Sequence, residues 1–320
     1  MSSDLLYYAK KFSKLRVNYN RQRGVAPHKP ILLLSAIEQI KQGKVQRNQF
    51  YLSPELIATF LKYWGQFGSA NHNADIALPF FHLQGDDFWH LRANPGFEAT
   101  VASKTKIRGL NALRNVVKYA YVDDALFSLL TASKTRRELT DVLINSWFNH
   151  QAETVEELLS YDEFEQTQLK LFDSGGATYT VEDLKDQQRI FVRNAAFRRI
   201  VTSLYNQQCA FCHLRIVSDN NHNIVDGSHI LPFAEFRDDR FDNGISLCKN
   251  HHWAFDHGWF GIDDNYRIIV ARDRLYEEPS EYTRQIKDFH GEQILLPVET
   301  EYEPRLSAIE WHREYWGIAS

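Results

Sequence analysis

The apolar positions of this 320-residue chain fall into blocks of helical and extended spacing, and the pattern changes about midway. "LLYYAKKFSKLRVNY" repeats apolar residues three and four apart, the period of one helix face. A basic loop, "NRQRGVAPHKP", follows. Pro30 is placed where the first turn of a helix tolerates proline, so "ILLLSAIEQIKQG" reads as a buried helix ended by Gly43. "LSPELIATFLKYWGQF" opens with a serine at the N-cap, then proline and glutamate, and reads as a further helix. In "SANHNADIALPFFHLQGDDFWHLRANPG" two short aromatic runs flank a Gly-Asp-Asp turn, which predicts a hairpin with His82 and His90 as pairing partners across it. "VDDALFSLLTASKTRRELTDVLINSWF" adds one or two helices.

Beyond residue 150 the pattern weakens. Residues 151–186 are acidic and contain the turn-rich "DSGGAT", so they read as a connector, partly helical at "TVEELLSYDEFEQTQLKLF". From Gln187 a strongly amphipathic helix, "QQRIFVRNAAFRRIVTSLYNQQ", runs directly into "CAFC". Next come a strand in "NIVDGSHILPFAE", a loop in "DDRFDNGISLC", and a helix in "WAFDHGWFGID" that stops near Gly258. The chain is therefore expected to be α+β with two domains. Residues 1–150 form a mainly helical unit with a small sheet, 151–186 the connector, and 187–320 the second domain. The length agrees with two domains.

Charge sharpens this division. The net charge of −4 conceals 20 Lys/Arg against 11 Asp/Glu in residues 1–150, and 3 against 10 in residues 151–190. A basic first domain joined to an acidic connector points to a polyanionic partner, with the connector a candidate screen between the second domain and that partner. No apolar run reaches the roughly 18 residues that would suggest a membrane span. "MSSDLLYYAKKFSKL" lacks the apolar stretch and cleavage site of a signal peptide, so the expected compartment is cytoplasmic and no membrane partner is expected.

The three cysteines all lie beyond residue 208, in the second domain. An odd count without an export signal argues against a disulfide framework. Cys209 and Cys212 have zinc-knuckle spacing, and Cys248 with His251 repeats the same three-residue offset. A Cys-x2-Cys, Cys-x2-His set closes a tetrahedral structural Zn2+ site with no open position. A redox role would need a thioredoxin-like strand-to-helix setting, whereas "CAFC" follows a helix. Its neighbour His252 is then left to project elsewhere.

His229, Asn243 and His252, wrapped around such a knuckle, resemble the HNH nucleases of the ββα-metal class. The string "SHILPF…DNGISLCKNHHWAFDHGWFGID" is similar to the branch found in predicted bacterial restriction enzymes, and the resemblance covers residues 190–320. It implies a metal-dependent DNA endonuclease. His229 would be the base that takes a proton from water, and Asn243 would orient its imidazole or shape the loop. His252 would hold a catalytic divalent cation such as Mg2+ or Mn2+. Many such sites carry an acid immediately before the base. Here that position is Ser228, and Asp226 is the candidate substitute ligand.

"RQRGVAPHKPILLL", with "LPFFHL" about fifty residues later, resembles the sulfur-binding domain of type IV restriction endonucleases, which recognise phosphorothioate DNA. That likeness covers roughly residues 1–150. It implies an apolar cup for the sulfur at Pro79 and Leu78, where the family often has an aromatic before the proline. It further implies polar contacts from His28 and Lys29, and phosphate or base contacts from Arg21 and Arg23. Sulfur is larger and less strongly hydrated than oxygen, so an apolar contact discriminates where a hydrogen-bond donor would favour oxygen. The expected function is restriction of modified double-stranded DNA, most directly phosphorothioate duplex. Two alternatives stand beside it: dependence on another mark such as a modified base, and a non-catalytic zinc-containing DNA-binding protein. Cutting both strands with one site per chain needs either a homodimer or two successive nicks, and the sequence does not choose.

Overall fold

The computed structural model describes residues 2–103, 107, 109–148, 158, 161–218, 223–279, 281 and 283–319. It has two compact units: residues 1–166 with 187–192, and residues 167–186 with 193–320. Both mix helices with two-stranded antiparallel sheets, so the chain is α+β and two-domain.

In the first unit, α1 (Ser3–Ser13) starts where the Ser2 hydroxyl accepts the Leu5 N–H, and it buries Leu5, Tyr8 and Phe12. It ends before "LRVNY" because the chain is taken up elsewhere: Arg16 N–H donates to Asp86, and Tyr19 and Asn20 enter a sheet. That sheet is β1 (Tyr19–Asn20) against β2 (Gly24–Val25). Its turn is held by the Asn20 side chain, which accepts from the Gln22 and Arg23 N–H groups, an Asx turn. Helix α2 (His28–Lys41) carries Pro30 in its first turn and is buried from Pro30 to Ile40, which explains its unbroken leucine run. Helix α3 (Pro54–Phe67) has Ser53 as its N-cap, as its sequence predicts.

The expected hairpin at residues 76–93 does not form. "ALPFFH" is helix α4 (Ala77–His82), followed by a 3-10 turn, Leu83–Asp86. Ile76, Ala77, Phe80 and Phe81 recur at helical spacing and are all buried, so packing overrides the strand preference of the phenylalanines. Only the second aromatic run is extended. It forms β3 (Trp89–Ala93), whose partner is β4 (Val117–Val122), so His90 faces Tyr121 rather than His82. Short helices α5 (Glu98–Ala102) and α6 (Leu110–Val116) connect these strands, and α7 (Asp124–Thr131) and α8 (Ser133–Trp147) complete the bundle.

Of the connector, residues 151–157, 159 and 160 lie outside the described residues, and with them most of "TVEELLSY". The remainder forms α9 (Glu163–Asp173), and residues 167–186 group with the second unit. Helix α10 (Gln187–Leu204) leads to the knuckle. Next are β5 (Val225–His229), the short α11 (Phe233–Phe236), and β6 (Gly244–Cys248), which pairs antiparallel with β5. Helix α12 (Lys249–Asp256) follows at once, giving a ββα unit. α10 lies directly on this hairpin. A Cβ at Gly227 would come within 2.8 Å of the Arg198 carbonyl, and one at Gly244 within 2.5 Å of Val201, so glycine permits the contact. The hairpin β7 (Phe260–Ile262) with β8 (Ile268–Val270), and α13 (Leu306–Trp316), close the unit.

Candidate active site and metal centre

The knuckle turn follows α10 and is tied to the hairpin by Ala210 N–H, which donates to the Ser246 carbonyl at 2.7 Å. Cys248 ends β6 and His251 lies in the first turn of α12, so a strand end and a helix start present two donors three residues apart. One ligand atom from each of Cys209, Cys212, Cys248 and His251 lies within 4.8 Å of all the others. Cys248 Sγ is 3.0 Å from His251 Nδ1, and Phe211 stacks on the His251 ring at 4.1 Å. Tetrahedral zinc, with bonds near 2.3 Å to sulfur and 2.0 Å to nitrogen, would set such atoms roughly 3.3–3.8 Å apart. The donors are thus within about an ångström of that spacing, and three sulfurs with one imidazole suit zinc. Hydrogen bonds to Cys212 and Cys248 push the Cys209 thiol up, while hydrogen bonds from Cys209 and Cys212 push Cys248 down. Burial opposes protonation of His251, but hydrogen bonds to Cys212 and Cys248 outweigh it and raise the group to about 9. A bound divalent cation would relieve this crowding of charge.

His229 ends β5. Its Nε2 lies 2.7 Å from Asp239 Oδ1, and Phe197 of α10 stacks flat on the ring, centroids 4.0 Å apart and 2° from parallel. Asp239 is fully buried, and its second oxygen accepts from Arg193 at 2.6 Å. A carboxylate can only accept, so a neutral His229 facing one holds its proton on Nε2 and leaves the lone pair on Nδ1; the residue itself lines a cleft. Asn243, in the 3-10 turn Phe241–Asn243, does not touch the imidazole. Its amide accepts from Leu231 N–H at 2.8 Å and donates to the carbonyls of Leu231 and Asp238. Of the two roles expected for Asn243, this geometry is that of shaping the loop.

His252 follows His251 on α12, about 100° further round the helix, and lines a cleft of about 330 Å³ with Arg198, Ser228, His229, Asp256 and Trp311. Its Nδ1 is 3.8 Å from Asp226 Oδ2 and its Nε2 is 3.4 Å from Asp256 Oδ2. Asp226 is also gripped by Arg198 at 2.7 Å and Lys249 at 2.9 Å. Burial pushes the Asp256 carboxyl up, with His252 opposing. The two carboxylates meet opposite nitrogens of this ring, so either Asp226 or Asp256 could share a hard or borderline divalent cation with it; among the described residues only the Cys209, Cys212, Cys248 and His251 set brings three or more donor atoms together.

In the first unit the six expected contact residues have unlike surroundings. Arg21 and Arg23 are exposed on the β1–β2 turn. His28 is buried against Trp64, its Nε2 bonded to the Asn73 carbonyl at 2.9 Å, and burial lowers its pKa. Lys29 is paired with Asp86 at 2.6 Å, its side chain 11% exposed. On α4, Pro79 is buried and Leu78 half-buried.

Residues 7–161 match the family model "ScoMcrA-like, DNA sulfur-binding domain", and residues 209–263 match "HNH endonuclease". The chain joins a DNA sulfur-binding domain to an HNH endonuclease domain. Among solved structures it is similar to the modification-dependent TagI restriction endonuclease, at 23% identity and a TM-score of 0.29, over 39% of this chain and 38% of that one. The sulfur-binding domain of SprMcrA complexed with phosphorothioated DNA is 18% identical with a TM-score of 0.38, covering 51% of this chain and 99% of that one. The type IV phosphorothioation-dependent restriction endonuclease ScoMcrA is 13% identical with a TM-score of 0.34, over 78% and 94%. Among curated proteins the chain has no match.

Within the HNH domain, sequence reasoning missed Asp239 and Arg193. "FRDDRFDNG" contains three acids between the two expected site residues, a signal that an acid lies near the base. Asp238 and Asp239 both turn inward, and which of the three acids reaches the base is decided only by packing. No helix among the described residues is long and apolar enough to cross a membrane.

Proposed function

We propose that the protein is a metal-dependent endonuclease that restricts double-stranded DNA carrying a phosphorothioate link. The observation that carries this reading is His229, oriented by Asp239, in one cleft with His252 and Asp256. His229 Nδ1 takes a proton from water, whose oxygen attacks phosphorus as the bond to the 3′ oxygen breaks. His252, with Asp226 on its Nδ1 side or Asp256 on its Nε2 side, would hold a divalent cation such as Mg2+ or Mn2+, which would offset charge on the phosphate and the leaving oxygen. Arg198, in the same cleft, is suited to a phosphate oxygen. Cys209, Cys212, Cys248 and His251 would hold the structural zinc that fixes the start of α12, and so the direction of His252.

In the sulfur-binding domain, Leu78 and Pro79 are assigned to the apolar contact with sulfur. Arg21 and Arg23 are assigned to neighbouring phosphates or base edges, and Lys29 and His28 to holding that surface together through Asp86 and Trp64. DNA-directed restriction places the protein in the cytoplasm. The test is cleavage of matched duplexes, with and without the sulfur, by the full chain in Mg2+ or Mn2+. Cutting of the modified duplex alone is expected. Equal cutting of both would remove the sulfur dependence, and cutting of neither would remove the nuclease assignment.

A further inference from the structure

A general base needs its lone pair aimed at water, yet neutral imidazole has two tautomers, and the stacked Phe197 fixes the plane of His229 without choosing between them. We propose that Asp239 makes that choice and is the positioning residue of the base, held by a strap of residues 175–179. This rests on the reading of His229 as the base.

Asp239 has no exposure, and a buried carboxylate is costly unless both oxygens are partnered. One oxygen faces His229 at 2.7 Å and the other faces Arg193 at 2.6 Å, so the carboxylate cannot rotate without breaking a bond. Arg193 is itself fixed, its guanidinium 3.8 Å from the Phe233 ring centroid and 4.7 Å from that of Tyr179. The backbone is clamped too. Asp239 N–H donates to the Ala177 carbonyl at 2.7 Å, Tyr179 N–H to the Arg237 carbonyl at 2.9 Å, and Thr178 bridges Asp238. Gly176 makes this approach feasible. Its φ is +94°, and a Cβ there would lie 2.3 Å from the Asp239 carbonyl oxygen. Asn243 holds the same loop from the other side, through the Asp238 and Leu231 carbonyls. Asn243 therefore acts on His229 at one remove, by fixing the loop that carries Asp239. The glycine-rich segment of the acidic stretch has a purpose in the site: it sets the height of the acid behind the base.

The experiment uses the full chain and phosphorothioate duplex. Asp239→Asn should lower kcat by about 10²-fold or more, within the range general-base catalysis contributes, while KM stays within about twofold. Asp239→Glu should recover part of the loss. In the wild-type protein, ¹⁵N NMR of His229 in mildly alkaline buffer should report the Nε2-protonated tautomer, a readout that requires no variant to fold. Wild-type kcat in Asp239→Asn, or an Nδ1-protonated tautomer in the wild type, would overturn the proposal. His229→Ala separates the two levels. If it is inactive while Asp239→Asn is fully active, only the positioning role falls; if it retains full activity, the base assignment itself falls.

Discussion

In the HNH domain Arg193 meets buried Asp239 at 2.6 Å, and in the sulfur-binding domain Lys62 meets buried Glu38 at 2.7 Å. The pairs are similar in burial and length but end differently. Glu38 also accepts from the Tyr63 hydroxyl at 2.6 Å, and Lys62 donates to the Leu158 and Tyr161 carbonyls, so every bond terminates inside the same unit. Burial and the nearby Glu38 carboxylate hold the Tyr63 hydroxyl far above its ordinary range, which keeps it a donor. The Arg193–Asp239 chain instead ends on an imidazole that lines a cleft. A buried ion pair is thus weak evidence for a site. The group on which its hydrogen bonds end is the stronger evidence.

The largest effect should come from the knuckle, which holds the HNH domain together independently of either ion pair. Cys248→Ala should lose zinc and the cooperative unfolding of that domain, since structural zinc sites contribute on the order of 10 kcal/mol. Zinc analysis and calorimetry would check this, and full zinc content with an unchanged transition would break the ligand assignment. The two pairs should then separate cleanly. Arg193→Ala and Lys62→Ala should each cost about 3–5 kcal/mol by stranding a buried acid. Only Arg193→Ala should also lower kcat in the fraction that remains folded. Denaturant melts and single-turnover cleavage on the same samples would show it, and equal kcat losses would erase the distinction.

A third buried group supplies a pH signature. His312 of α13 stacks on Phe255 at 3.8 Å, donates from Nε2 to its carbonyl, and is pushed down to about 4 by burial. As pH falls from 6.5, the unfolded chain takes up a proton before the folded one. Stability is therefore complete above that value and is lost toward pH 4, by on the order of 3 kcal/mol. Urea midpoints against pH should slope in this window, and His312→Gln should flatten the slope. The smallest effects on stability belong to the exposed turn. Arg21→Ala or Arg23→Ala should leave melting within about 0.5 kcal/mol of wild type. Each should reduce the salt slope of DNA binding by about one.

What could be read from the sequence follows the distance between partners along the chain. The knuckle was legible because its donors form two pairs at three-residue offsets, whereas the ββα order came from the family resemblance: "GISLC", which reads as part of a loop, is strand β6, and α12 begins at Lys249 rather than near Trp253. The separate directions of His251 and His252 follow from helix geometry alone. Helix α4 was misread because "LPFF" has strand-like composition, although Ile76, Ala77, Phe80 and Phe81 carry helical spacing. Asp239 was not legible because its inward turn depends on residues 175–179, some sixty positions earlier. The resemblance makes His28 a candidate contact residue, but its enclosure by Trp64 and the Asn73 carbonyl, from distant segments, was not legible in the sequence.

The central claim is that one histidine cuts DNA and a separate domain decides which DNA. It is tested most directly by following binding and cleavage together, for wild type and His229→Ala, on a duplex with and without one phosphorothioate. Both proteins should bind the modified duplex more tightly than the unmodified one, and equally, with only the wild type cutting it. Cleavage by His229→Ala, or equal binding of both duplexes by wild type, would contradict it.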